Sequence, residues 1–353
     1  MRIGIDVRLQ NETGVGRYIR NLMTYLPKLD TKHEYVFINP DIAWHSIEEQ
    51  IKMPRILDSY HLDLVHIPYF NVPLFYTKPF VVTIHDLIVN EYSTGEASTR
   101  NYMVYKLKQL GYQYVLSHAV KQARAIIVPS QATKDKLIEL YPHVQKENIQ
   151  VTYEGAYLTI DKASGVIRKK IRNLNNYFLY VGNAYPHKNV ETLVKAIVQL
   201  KNPKTTLIIV GSRNFFMKRL ERFVNDLHAS DRIVFTGEVS DAELSWLYRH
   251  AQALVLPSLM EGFGLPALEA MQFRCPVIAS DIPVFHEICQ DAALYFDPNR
   301  VDDLASMLTD FMSPSLRPET QKKKNIGEKR ARQFSWENMV HQTISIYEDC
   351  LSI

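Results

Sequence analysis

No apolar run in the 353-residue chain approaches the ~20 residues that span a bilayer, and no charged-then-apolar leader precedes the first strand-like segment at Arg2. A soluble cytoplasmic protein is expected. Only three cysteines occur, Cys275, Cys289 and Cys350, with no C-x-x-C pair. That excludes a disulfide framework and points to a reducing compartment, with all three thiols as small core residues rather than metal ligands. Charge of one sign is also lacking. A net of +3 is too small to imply nucleic acid, and no aromatic-basic repeat suited to single strands appears. Short internal repeats and low-complexity tracts are absent. With 46% hydrophobic and 22% charged residues, composition excludes disorder and leaves room for two domains with full cores.

Short apolar runs recur with helical stretches between them. Ile3 to Val7, Tyr35 to Ile38, Leu64 to Ile67, Phe80 to Ile84, Ala125 to Val128 and Ile149 to Thr152 read as strands. After a polar stretch from about Asp161 to Asn176, read as a linker, the pattern restarts. Phe178 to Val181, Leu207 to Val210, Ile233 to Phe235, Leu254 to Leu256, Val277 to Ala279 and Ala293 to Phe296 are the second set, with helices such as Asn189 to Leu200 and Asp241 to His250 between. Strands alternating with helices predict parallel sheets covered on both faces. The expected class is α/β, with two doubly wound Rossmann-like domains, 1–165 and 166–335, facing each other across a cleft. Ligands in such sheets bind beyond the carboxyl ends of the strands. The glycine-rich turns stand at those ends: Gly14 to Gly16, then Gly182, Gly211 and Gly262 to Gly264.

The most informative stretch is Glu261-Gly-Phe-Gly-Leu-Pro-Ala-Leu-Glu269, between a strand and a helix. Two glycines permit a sharp turn and close backbone approach, and Pro266 suits a first helical turn whose free N–H groups face an anion. Carboxylates at both ends accept from hydroxyls. Phosphate donors flanked by hydroxyl acceptors suit a nucleotide carrying a sugar. A rival reading remains open, since Gly262, Gly264 and Ala267 also satisfy G-x-G-x-x-A and Asp281 lies 19 residues beyond Gly262, as in a dinucleotide fingerprint. That fingerprint normally opens a domain, and it leaves both glutamates idle. A third reading gives the glycines no role beyond shaping the turn.

Glu-x7-Glu around Gly-Phe-Gly-Leu-Pro resembles the retaining glycosyltransferases of family 4 (GT4), which have the two-domain GT-B fold. Other landmarks resemble the family's in its order: Asp6-Val7-Arg8, Gly14-Val15-Gly16-Arg17, Thr83-Ile84-His85-Asp86, Val181-Gly182-Asn183 through Lys188-Asn189, and Phe334-Ser335-Trp336-Glu337. The resemblance implies a hexose transfer from a nucleoside diphosphate sugar, with mannose from GDP-mannose the first choice, to a saccharide or lipid-linked saccharide in cell-surface polysaccharide or lipopolysaccharide assembly. It also implies that the last helix, 336–353, crosses back onto the first domain. An NAD-dependent oxidoreductase or epimerase and a non-catalytic sugar-nucleotide-binding protein are the alternatives.

The site residues follow from the same likeness. Lys188 neutralises the diphosphate, and Glu261 accepts from sugar hydroxyls. Glu269 takes the ribose hydroxyls, while the N–H groups of Phe263, Gly264 and Leu265 hold sugar and diphosphate. His85 meets the donor sugar near the reacting carbon, and His66, ending the neighbouring strand, is read equally as an acceptor-side residue or as a satisfied structural histidine. Gly16 brings an N–H to the phosphate, its bland reading being a plain turn glycine. Asn183 stands where the family often carries an arginine, leaving Arg213 or Arg17 to supply a second cation. Base contacts are expected near Gly237 and Glu238. No D-x-D occurs, so no metal and no cofactor is expected, helix termini and Lys188 taking the cation's place. Transfer is expected by a front-side route, the departing diphosphate assisting deprotonation of the acceptor.

Between Glu96 and Asp135 there is no acidic residue, yet Arg100, Lys106, Lys108, Lys121, Arg124 and Lys134 alternate with Tyr102, Tyr105, Tyr112 and Tyr114. Such a helix suits peripheral contact with an anionic membrane, the inner face of the plasma membrane, or equally a helix packed in the first domain with its lysines in water. A second basic run, Lys322 to Lys324 with Lys329, Arg330 and Arg332, reads as a solvated helix face.

Overall fold

The computed structural model describes residues 1–12, 14–88, 102–156 and 177–352. Two compact units emerge, Met1–Gly155 with Phe334–Ile353, and Ala156–Gln333. The sequence placed these boundaries at 165/166 and 335/336; the expected linker lies outside the described residues.

The first unit holds six strands: β1 (Arg2–Asp6), β2 (Glu34–Ile38), β3 (Leu64–Ile67), β4 (Phe80–Thr83), β5 (Ala125–Val128) and β6 (Ile149–Val151). They pair in parallel in the order β2-β1-β3-β4-β5-β6. Every residue of β3, β4 and β5 is buried, as a sheet covered on both faces requires. Strand order reverses between β1 and β3, so a crevice opens beyond their carboxyl ends.

The second unit repeats the design with β7 (Tyr177–Val181), β8 (Thr206–Val210), β9 (Ile233–Gly237), β10 (Leu254–Leu256), β11 (Val277–Ser280) and β12 (Ala293–Phe296). Its order is β12-β11-β10-β7-β8-β9, again parallel, with the reversal between β7 and β10. All twelve strands fall where the apolar runs predicted them. Two doubly wound Rossmann-like units are what the sequence led us to expect.

Helix starts are set by short polar side chains. Ser240 accepts from Glu243 N, and the Glu243 carboxylate reaches back to Ser240 N, a capping box that opens Asp241–His250. Ser335 caps the last helix, Trp336–Leu351, in the same manner through Asn338 N. That helix belongs to the first unit, where it packs on Gly14–Leu29 and buries Trp336, Met339, Val340, Thr343, Ile346 and Tyr347.

The basic stretches are less uniform than the sequence suggested. Arg100 and the side chains of residues 102–108 lie outside the described residues. Tyr112 packs edge-on against Phe70 at 4.6 Å, and Lys134 donates to the Ile149 carbonyl at 2.6 Å, so both serve the first unit's interior. Leu110 and Tyr114 are exposed. The second basic run is not simply a solvated face. Lys323 donates to the carbonyl oxygens of Asp291 and Ala293, and Arg330 to those of Glu287 and Ile288. Among the described residues no helix is long and apolar enough to cross a membrane. Cys275 and Cys289 are free and buried, with burial pushing both thiols up to about 12.

Candidate active site

In the second unit the predicted residues gather at the reversal between β7 and β10. β7 runs into Gly182, whose φ of +148° favours glycine, and Gly211 after β8 stands so close that a Cβ there would lie 2.2 Å from the Gly182 carbonyl oxygen. Asn183 follows, its carbonyl accepting from Tyr180 Oη at 2.6 Å and its side chain 3.5 Å from Asn214 Nδ2. A short turn, Pro186–Lys188, then leads through Asn189 in the left-handed region (φ +53°) into the helix Val190–Gln199. That strained residue lets the turn end on Lys188 and the helix begin immediately.

Lys188 comes from the β7 side and Glu261 from the β10 side. Their side chains meet, Nζ donating to Oε2 at 2.7 Å, and Ser258 Oγ donates to the other carboxylate oxygen at 2.7 Å. The two loops are also joined through the main chain, Leu259 N donating to the His187 carbonyl at 2.8 Å. With 22% and 12% of their side chains exposed, Lys188 and Glu261 are reachable, and a pair of this openness contributes on the order of 1 kcal/mol. A ligand offering stronger partners can separate them. Beside them His187 is pushed down to about 4 by burial, with the Lys188 charge adding to it, so the imidazole stays neutral at ordinary pH.

Past Glu261 the chain turns through Phe263 and Gly264 into the helix Leu265–Gln272. Gly264 has φ +91°, and a Cβ there would meet the Phe285 ring at 2.9 Å, so conformation and space both require glycine. Phe263 is buried, whereas Leu265 is half-buried. Glu269, 4% exposed, accepts from Tyr248 Oη at 2.9 Å. A cavity of about 450 Å³ opens nearby in this unit, lined by Ser212, Arg213, Thr236, Gly237 and Glu238 at the ends of β8 and β9. The dinucleotide alternative fits poorly: the Gly262 fingerprint follows the unit's fourth strand rather than its first, and Asp281 is taken by His286 at 2.6 Å.

In the first unit, Gly16 lies in the first turn of Gly14–Leu29, where N–H groups have no partner within the helix. A Cβ on Gly16 would lie 2.7 Å from the Gln10 carbonyl oxygen, so packing alone already requires this glycine. His85 follows β4 and is nearly buried, with Nδ1 3.1 Å from Glu154 Oε1 and Nε2 3.2 Å from the Pro68 carbonyl. Its ring meets the edge of Tyr18 at 4.9 Å. His66 does not line an open surface. It is fully buried between Tyr347 Oη (2.5 Å from Nδ1) and Thr83 Oγ1 (2.7 Å from Nε2), and burial pushes it down to about 3. The strand-end rule fails here because the last helix covers the end of β3.

Comparison with known proteins decides the class. Residues 166–333 match the family described as "Glycosyl transferases group 1", and residues 29–159 match "Glycosyltransferase Family 4". The O-antigen chain mannosyltransferase RfbU of Salmonella typhimurium is 33% identical over 258 residues, covering 73% of this chain and 67% of RfbU. The chain belongs to glycosyltransferase family 4. This transferase is also 29% identical over 292 residues to the O-antigen chain mannosyltransferase B of Escherichia coli, covering 81% and 74% of the two chains. Its fold superposes on the sucrose-phosphate synthase of Thermosynechococcus elongatus with a TM-score of 0.79 at 21% identity, over 100% and 99% of the chains. Ser258, Tyr248 and Glu154, each hydrogen-bonded to a predicted residue of the transferase, were not singled out from sequence. A serine, a tyrosine and a glutamate without a motif give no signal until folding brings them together.

Proposed function

We propose that the transferase moves mannose from GDP-mannose to a saccharide or lipid-linked saccharide acceptor in cell-surface polysaccharide assembly, with retention at the anomeric carbon. The meeting of Lys188 and Glu261 across the β7/β10 reversal carries this reading. A diphosphate offers Lys188 a stronger partner than a single carboxylate. Glu261, released from Lys188 and still held by Ser258, then accepts from sugar hydroxyls. The N–H groups of Phe263, Gly264 and Leu265 at the helix start, with Asn183 past the end of β7, complete the anion's surroundings, and Glu269 receives the ribose hydroxyls in the orientation Tyr248 fixes.

As the bond to the sugar breaks, negative charge grows on the diphosphate, and Lys188 stabilises it more than it does the intact donor, which is what lowers a barrier. Lys188 and the free N–H groups stand in for a cation, and the reaction is read as metal-independent with no cofactor. The departing phosphate oxygen takes the acceptor's proton on the same face, which gives retention. His85 contributes a hydrogen bond near the reacting carbon.

The relatives named as O-antigen mannosyltransferases support mannose. Glu238 at the cavity favours guanine, since a carboxylate accepts side by side from the N1–H and 2-amino groups. Uracil offers one N–H between two carbonyls. Exposed Leu110 and Tyr114 with Lys121 on one helix support peripheral contact with an anionic inner membrane face.

Thermal unfolding with GDP, UDP, GDP-mannose, UDP-glucose and NAD in parallel tests the donor. A ligand that binds only the folded state raises the midpoint, by the equivalent of about 2.7 kcal/mol at 100 times its Kd. Midpoint shifts confined to GDP and GDP-mannose support the proposal. A response to NAD alone overturns it.

A further inference from the structure

Glu154 lies just past β6 and is 4% exposed, and among the described residues its carboxylate pairs with His85 Nδ1 at 3.1 Å. A carboxylate taken from water needs such a partner, and a position this deep has to be built. It is built from the chain's far end. A Cβ on Gly155 would lie 2.3 Å from Trp336 N, and the Tyr153 and Phe334 rings meet edge-on at 5.5 Å. The Phe334-Ser335-Trp336 segment therefore grips the backbone on both sides of Glu154.

The His85 ring is held from three directions, by Glu154 from the end of β6, by the Pro68 carbonyl from the end of β3 and by Tyr18 from the helix Gly14–Leu29. Carboxylate and carbonyl oxygens only accept, so each ring nitrogen needs a hydrogen for its contact to be a hydrogen bond. Glu154 supplies the acceptor on the Nδ1 side. Its own charge also reaches Tyr18, whose hydroxyl burial pushes upward, with the carboxylate adding to the effect.

From this geometry we infer that Glu154 is a positioning residue for transfer: it fixes the orientation of His85, so that Nε2–H can be handed from the Pro68 carbonyl to an oxygen of the donor sugar. The inference rests on the reading of His85 as a donor-sugar contact. Glu154 touches no substrate. Its effect falls on kcat rather than on nucleotide affinity, because the nucleotide residues belong to the second unit.

Glu154→Ala and Glu154→Gln test it. Gln keeps an oxygen that accepts from Nδ1–H, whereas Ala removes it. Expected for Ala is a loss of kcat of about 10- to 100-fold, the scale that follows from a misplaced group, with GDP affinity by calorimetry unchanged within about twofold. Gln restores at least half of that loss on a logarithmic scale. Ring nitrogens of 15N-labelled histidine supply a second readout, the His85 signals moving in Ala and staying near the native position in Gln. Unchanged kcat in Ala overturns the inference, as does equal loss in both variants with unmoved His85 signals. If Ala does not fold, Gln decides through its kcat and ring signals: near-native values support the role, and a full loss of activity in a folded Gln variant with native ring signals sinks it. Should the native enzyme neither bind GDP nor transfer mannose, the donor reading fails, while the ring signals still decide whether Glu154 governs His85.

Discussion

The two units carry the same kind of sheet and treat their strand-end residues differently. In the second unit, Lys188 and Glu261 satisfy each other across an accessible turn and can exchange that pairing for a ligand. In the first, His66 is fully buried with internal partners on both ring nitrogens, and Glu154 holds the nearly buried His85 through Nδ1. The difference separates a surface that changes partners from a scaffold that holds one group still. Binding chemistry needs exchangeable charges, and positioning needs hydrogen bonds that do not exchange.

The sharpest way to break this comparison is to remove the exchangeable charges. Lys188→Ala and Glu261→Gln should each lower transfer by on the order of 10²- to 10³-fold, the range for losing one group that stabilises developing charge. The routes differ. Lys188→Ala weakens GDP as well, whereas Glu261→Gln leaves GDP affinity within a few-fold and mainly reduces kcat with the sugar donor, measured by calorimetry and steady-state rates. Full activity in either variant would remove that residue from the site.

A stability comparison comes next. Gly155→Ala forces a Cβ against Trp336 N, where neither backbone can give, and should destabilise the first unit by about 1–3 kcal/mol or more. Gly237→Ala meets no atom within 4 Å and bears only the strain of its φ of +78°, about 1 kcal/mol. Urea unfolding of the two variants ranks them, and an equal loss would contradict the grip on Gly155.

The sheets were legible because parallel strands buried on both faces must be short and apolar, and each such run stands between helices. Lys188, Glu261 and the Gly262–Gly264 turn were legible because a glycine pair, a helix start and flanking carboxylates have a local reason to coincide. His66 stayed undecided between two readings for a physical reason: the covering residue, Tyr347, lies 281 positions away, and no local pattern announces it. Glu154 escaped notice for the same reason, since its depth is set by Trp336 near the other end of the chain. Exchangeable residues advertise themselves in sequence, and the residues that hold others in place do not.

The last comparison concerns those silent groups under acid. Burial pushes His66 down to about 3, with His85 adding to the shift, and pushes His187 to about 4. An unfolded histidine binds its proton near pH 6.5, so between that value and the lowered folded ones the unfolded state holds more protons than the native state. Stability then rises with pH across this window and falls as pH drops from about 6.5 toward 4 and 3. Each such histidine contributes a slope approaching 1.4 kcal/mol per pH unit. Above pH 7 both are neutral in either state, and the dependence vanishes. His66→Gln, which keeps a polar side chain between Thr83 and Tyr347, should make the loss between pH 6 and 4 shallower by about one proton's worth in urea unfolding. His187→Gln should do the same in the second unit down to about pH 4. A variant as acid-sensitive as the native chain would show that its histidine gains a proton without unfolding, and that the site it occupies is less closed than His66 between two hydroxyls implies.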